Sequence, residues 1–517
     1  MMLTKINYQD FRTNIPYDDL NKLFQDAIQA SGPLGINYIW IDCLCIIQDS
    51  REDWLNESAR MGAVYRNSYL NIAGTGFKDG NAGLFVQRDP DRLSTTILIE
   101  TSRASEKTVG GFFNSSLWEE DVANAPLNRR GWVIQERCLA VRTLHFGSEQ
   151  LFWECAENSA CELWPKKLPS VMPLKNFKGL TLGRGAVNNS DRDTSGHAQS
   201  TCEDACERWL DIVQEYSKCH LTYSSDKLIA ISALARSFQS SIGSPYLSGM
   251  WEYKLINQLL WSVRLASPLP RPSSSELRGP SWSWSAVDGP VEFPISQNKV
   301  DGYEYNYSFF SEVVDARTVP VEGSDAFNQI SSGTLTLSGP LGMLKLLPDD
   351  GEIIFDIRTD LDDDGGPMML VSIEWDTREA AGVVNQKASF GMDSEKEVLS
   401  SYLIRPVSEY NGSFEPLPNT PNTNPSTGLF FMPIAEFEEP EWISSGYRFV
   451  HCLALVPTEQ KPGQYKRLGI FNTRWTKKEP DQPQTRLCNE MKKGCWAGLS
   501  PDYYVRLDNS KYVIEVV

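Results

Sequence analysis

The chain has 517 residues and a formal net charge of −18, with 41% hydrophobic and 22% charged residues. The length exceeds what one hydrophobic core can fill, so more than one domain is expected, and the acidic balance argues against a protein built to grip nucleic-acid phosphates. Its 11 cysteines are odd in number and irregular in spacing, which points to reduced thiols rather than a secreted disulfide framework. No signal peptide and no run of about 20 apolar residues is visible, so a cytoplasmic protein without a membrane span is expected.

Asp18 to Ala30 shows helical periodicity through Leu20, Leu23, Phe24, Ala27 and Ile28, with Asp18 as N-cap and Gly32, Pro33 and Gly35 as the stop. Tyr38 to Ile47 is almost continuously apolar and rich in β-branched and aromatic residues. It reads as a strand buried on both faces of a parallel sheet. Asp42 interrupts it and Asp49 closes it. A buried carboxylate is costly without a partner, so Asp42 needs one or lies at a strand end. Ser50 opens the next helix, with Asp53 as a short capping-box residue and Trp54, Ser58, Met61 and Tyr65 on one face. Tyr69 to Gly74 then reads as a second strand, and the β-α-β core favours parallel strands.

Thr75 to Arg88 is a loop and Thr95 to Glu100 a short strand. Pro126 to Ala140 reads as a helix, and Thr143–Phe146 with Gln150–Cys155 as a hairpin turning at Gly147-Ser148. Residues 166–200 lack periodicity and form a loop or linker. Helical stripes resume from Cys202 and end near Pro280-Ser-Trp-Ser-Trp-Ser285; beyond lie strands such as Gly333–Leu337, Glu352–Ile357, Met369–Trp375, Tyr447–Val456, Tyr465–Phe471 and Tyr512–Val517. Asp360–Gly366 is an acidic turn cluster and Pro416–Thr427 a Pro/Asn loop. The expected domains are therefore 1–165, 201–290 (a helical extension) and 291–517 (β-rich).

Several blocks in register carry a family resemblance. They are Asn37 to Ser50 (Asn-Tyr-Ile-Trp-Ile-Asp-Cys-Leu-Cys-Ile-Ile-Gln-Asp-Ser), Asp53-Trp54, Val64-Tyr65, Gly83-Leu-Phe85 with Arg88, Arg130-Gly-Trp-Val-Ile-Gln-Glu-Arg137, and Leu151-Phe-Trp-Glu-Cys155. In order and spacing they resemble the heterokaryon-incompatibility (HET) domain of filamentous fungi over about residues 12 to 156. The resemblance implies an α/β fold, distantly TIR-like or flavodoxin-like with a parallel sheet. It also implies a role in non-self recognition and programmed cell death, with self-association or other incompatibility proteins as partners. The family's opening Leu-Ser-Tyr-x-Trp-Gly motif has no counterpart before the first helix. The resemblance therefore implies a shortened domain with an unpaired sheet edge.

Some TIR domains cleave NAD through a helix-borne glutamate, and Gly131-Trp-Val-Ile-Gln-Glu136 is similar to the segment that carries it. That makes Glu136 the catalytic candidate and NAD a candidate substrate, with no cofactor or metal expected. Breaking a nicotinamide–ribose bond develops positive charge on the sugar, which a carboxylate at its hydroxyls can orient and stabilise. Trp132, one turn earlier, could supply an aromatic wall, and Asp42 a second polar group. The bland alternative pairs Glu136 with Arg129, Arg130 or Arg142 as a helix anchor. Asp49 reads as a turn cap, Cys43 and Cys45 as packing, and His145 as structural. Gly74-Thr-Gly76 and Gly110-Gly111 lack the Lys-Ser/Thr of a phosphate loop. The tryptophans of 281–285 read as packing between domains. Two other readings stand beside the enzyme: a non-enzymatic, self-associating interaction module, and an inactive, degenerate copy.

Overall fold

The structure is a computed structural model. It describes residues 1–77, 79–85, 87, 97–103, 106–112, 114–170, 172, 178, 202–263, 279–294, 299–300, 303–304, 307–346, 353–355, 369–371, 373–375, 429–438, 447–458, 460–476 and 499–517. Arg88, most of the 166–200 segment, the Asp360–Gly366 cluster and the Pro416–Thr427 loop lie outside the described residues. The chain divides into two compact units. One holds Met1–Arg208, Cys219–Thr222 and Ile229–Ser241; the other holds Trp209–Lys218, Tyr223–Leu228 and Ile242–Val517.

The first unit is α/β. Its helices include α1 (Tyr8–Thr13), α2 (Lys22–Ser31), α3 (Asp42–Cys45), α4 (Arg51–Asn67) and α5 (Gly131–Leu139). Its main sheet consists of β1 (Asn71–Ala73), β4 (Arg142–Phe146), β5 (Leu151–Cys155) and β6 (Ser159–Cys161), in that order; β2 (Ile97–Arg103) and β3 (Glu106–Phe112) form a separate hairpin. The main sheet is mixed: β1 runs parallel to β4, while β4–β5 and β5–β6 are antiparallel. The hairpin expected at Gly147-Ser148 forms, closed by Gly147 N–H to Gln150 O at 3.1 Å. Gly76 packs on that turn so closely that a Cβ would lie 2.2 Å from Ser148 N.

Register sorts the sheet's side chains. Thr143 faces Glu154 across the ladder and His145 faces Phe152, so all four share one face. The opposite face carries Leu144 and Ile72, which pack with Ala27, Leu84 and Phe146 against α2.

Three expectations change. Tyr38 to Ile47 is not a strand: residues 36–41 join no sheet and residues 42–45 form the turn α3. Asp42 explains this. Its Oδ1 accepts the Cys43 N–H at 2.7 Å, and the N–H groups of Leu44 and Cys45 turn back to Ile41 O. Such a local acceptor offers the backbone an alternative to a ladder. The carboxylate that would have been costly in a sheet is exposed to solvent. β1 therefore takes its parallel partner from β4. The start of α2 also moves: Asn21, not Asp18, caps it, accepting the Phe24 N–H at 2.9 Å. Ser50 does cap α4, but Asp53 reaches Ile47 N–H at 2.7 Å instead of closing a capping box.

The segment expected as a helical extension supplies both units. Helix α6 (Cys202–Ser217) spans the division, and α7 (Ile229–Ile242) falls almost wholly in the first unit. The second unit is built on a sheet with twelve strands among the described residues. Its longest strands are Ile330–Gly339, Leu429–Glu438, Tyr447–Pro457 and Gln464–Thr476. Trp282 and Trp284 are fully buried inside it, Trp284 donating to Gly249 O at 2.9 Å.

Candidate functional site

Helix α5 is pinned at its start. Gly131 N–H bonds His220 O at 2.8 Å and His220 N–H returns to Arg129 O at 2.7 Å. Successive residues on a helix point about 100° apart, so the adjacent Glu136 and Arg137 take different partners, although both line one cavity.

Arg137 enters a buried polar cluster. Its guanidinium grips Glu154 through two hydrogen bonds, at 2.7 and 3.0 Å, and His145 Nε2 lies 3.3 Å from the same carboxylate. Lys178 donates to Arg137 O, Ala140 O and Thr143 Oγ1 at 2.6–2.8 Å. Burial alone would raise the Glu154 carboxyl; the Arg137 charge, His145 and Lys178 reverse that and hold it far below the usual carboxylate range. Burial keeps His145 neutral against the pull of Glu154 and lowers the Lys178 ammonium to about 8.

Glu136 enters a cavity of ≈ 610 Å³, within the range of small-ligand sites. Asp42, Tyr65 and Arg130 line it with Glu136, and Tyr38, Trp40 and Tyr69 supply aromatic wall. Tyr65 lines the cavity beside Glu136, and the two side chains shift each other's titration. Burial, followed by the Asp42 charge, pushes the Glu136 carboxyl up to about 7, against the opposing effects of Tyr65 and the Arg130 charge. Glu136 keeps some accessible surface, yet its carboxyl is surrounded closely enough for desolvation to dominate. Glu136 forms no salt bridge among the described residues, so none of the three arginines considered from the sequence anchors it.

The remaining candidates separate. Asp42 reaches the cavity with Glu136 although they are far apart in the chain. Trp132 does not line the cavity; it stacks edge-on against Trp54 at 6.1 Å and braces α5 on α4. Asp49 accepts the Lys5 N–H at 2.8 Å. Cys43 is half-buried and Cys45 exposed; burial lifts the Cys43 thiol to about 11, too high for a ready thiolate. The Gly83-Leu-Phe85 block is structural: Gly83 has φ +76°, and the N–H groups of Leu84 and Phe85 bond the buried Asp26 at 2.8 and 3.3 Å. Tyr65 and Arg130 belong to the HET-like blocks, where the sequence pattern alone gives neither of them a place in the cavity. Lys178 left no signal, because it lies in a stretch without periodicity.

Residues 2–136 match the family model described as heterokaryon incompatibility protein (HET). The N-terminal part of the chain carries a HET domain. Asp42, Tyr65, Arg130 and Glu136 all fall within the HET match, whereas His145, Glu154 and Lys178 follow it. No curated protein and no solved structure matches the chain. Among the described residues, no helix is long and apolar enough to cross a membrane, and no group of three His, Cys, Asp or Glu side chains is arranged to hold a metal.

Proposed function

We propose that the chain is a heterokaryon-incompatibility effector that cleaves the nicotinamide–ribose bond of NAD in the α5 cavity. The HET match supports an incompatibility-related role. The observation that carries the chemistry is that Glu136 and Asp42 line one cavity, with Tyr65 beside them in its wall. In the reaction, water adds to the anomeric carbon, nicotinamide leaves as a neutral molecule with the bond's electron pair, and one proton is released. No general acid is needed at the leaving group. The ionised Glu136 accepts hydrogen bonds from the ribose hydroxyls and stabilises the oxocarbenium-like charge. Asp42 adds negative potential beside the pyridinium.

Purified protein is expected to release nicotinamide from NAD, and Glu136→Gln to stop it by about 100-fold or more while leaving the circular dichroism unchanged. The initial slope in NAD should rise with pH through about 7 as Glu136 ionises. Folded wild-type protein that releases no nicotinamide, at any state of assembly, sinks this reading.

A second reading, a self-associating interaction module, draws on the exposed rim. Tyr38 is 92% and Tyr69 66% exposed at the cavity mouth, an arrangement typical of contact surfaces. It requires concentration-dependent assembly by light scattering that is lost on Tyr38→Ser but indifferent to Glu136→Gln.

A further inference from the structure

Four arginines lie on or beside α5, and three are occupied. Arg129 donates to Asn124 Oδ1 at 3.1 Å. Arg137 is locked on Glu154. Arg142 donates to Tyr69 O at 3.1 Å and lies over the Tyr69 ring. Arg130 differs. Its side chain has no hydrogen bond or ion pair among the described residues, is exposed to solvent, and lines the cavity. Its backbone, by contrast, is held firmly: Arg130 N–H bonds Leu127 O at 3.1 Å, Arg130 O accepts from Val133 at 3.0 Å, and the flanking residues are tied to His220. A free guanidinium on a fixed backbone is a prepared donor fork.

Arg130 lines the cavity together with Glu136 and Tyr65, and its charge opposes the raised values of both. It also stands at the positive end of α5, a nine-residue helix. The other ionisable groups that line the cavity are Asp42 and Glu136, the occupied Arg137, the neutral His145 and tyrosine hydroxyls. On a molecule of net charge −18, an anionic ligand needs a local cation to enter, and Arg130 is the cation available among the described lining residues.

We infer that Arg130 is the anion-binding residue of the cavity and holds a phosphate of a nucleotide ligand. Carboxylates and a guanidinium in one cavity then suit a ligand with separated charges: a cationic base and sugar toward Asp42 and Glu136, and phosphate toward Arg130. Only the placement of the sugar rests on the NAD-cleavage reading. The phosphate contact stands on Arg130 itself and makes this residue the determinant that separates nucleotides from nucleosides.

Calorimetric titration of the full chain with ADP and with adenosine tests it. Wild-type protein is expected to bind ADP at least about 10-fold more tightly than adenosine. Arg130→Gln should bring that ratio close to one, Arg130→Lys should keep part of it, and Arg129→Gln, which removes a neighbouring charge that does not line the cavity, should keep all of it. Equal affinities in the wild type, no binding of either ligand, a preserved ratio in Arg130→Gln, or a collapse in Arg129→Gln as large as that in Arg130→Gln each overturns the assignment. Nicotinamide release, measured on the same preparations, is read separately. If it is absent while the ADP preference follows Arg130, the cleavage reading falls and the phosphate site stands.

Discussion

Glu136 and Glu154 are buried carboxyls driven in opposite directions by their partners. Glu136 has a hydroxyl and a distant guanidinium for company, so burial prevails and its value rises from 4.5 to about 7. A raised value means that the folded state holds the proton more tightly than the unfolded chain. Its stabilising contribution is complete below about 4.5 and is lost as pH rises through about 7. Glu136→Gln should therefore flatten the decline of thermal stability across that window, by roughly 2–3 kcal/mol in all; parallel melting profiles for the two proteins would refute the assignment. Glu154 is held below the usual range by Arg137, His145 and Lys178 despite its burial. Its contribution is present above the ordinary carboxylate range and disappears as pH falls. Glu154→Gln leaves the Arg137 guanidinium buried without its counter-charge, and urea unfolding at neutral pH should register a loss of about 3–5 kcal/mol.

At the scale of elements, close approach governs the helix contacts. Gly62 of α4 faces α7, where an added Cβ would lie 2.4 Å from the Ala233 Cβ. Alanine is the better helix former by about 1 kcal/mol, but overpacking at such a contact costs about 1–3 kcal/mol. Gly62→Ala should be destabilising on balance, and Ala233→Gly in the same chain should recover part of the loss; additivity of the two changes would argue against the contact. The same scale explains the Asn37–Ser50 block. Its apolar run and Asp42 gave conflicting instructions, and the local hydrogen bond of Asp42 with the Cys43 N–H prevailed over strand pairing. Periodicity could locate α4, α5 and the β4–β5 hairpin, since their stripes and turn residues are local. It could not reveal that β1 pairs with β4, because that choice is made between segments about 70 residues apart.

At the scale of the whole molecule, the first unit is completed by chain that returns from beyond residue 200. His220 ties down the start of α5, and Ile229–Ser241 belongs to this unit. A fragment ending at Pro165 lacks both, along with Lys178. It should melt less cooperatively and bind hydrophobic dyes more strongly than a fragment ending after Gly243, as calorimetry and dye fluorescence would show; equal behaviour would make residues 1–165 an autonomous domain. What the sequence determined by itself is what local pattern encodes: an α/β beginning, a β-rich end and the HET blocks. The tertiary structure alone decided that Asp42 and Glu136 line one cavity, that Trp132 braces a neighbouring helix, that Arg137 is occupied while Arg130 has no side-chain partner among the described residues, and that Lys178 completes a buried cluster. Those outcomes depend on which side chains arrive at the same place, and desolvation and pairing act on neighbours in space rather than in the chain.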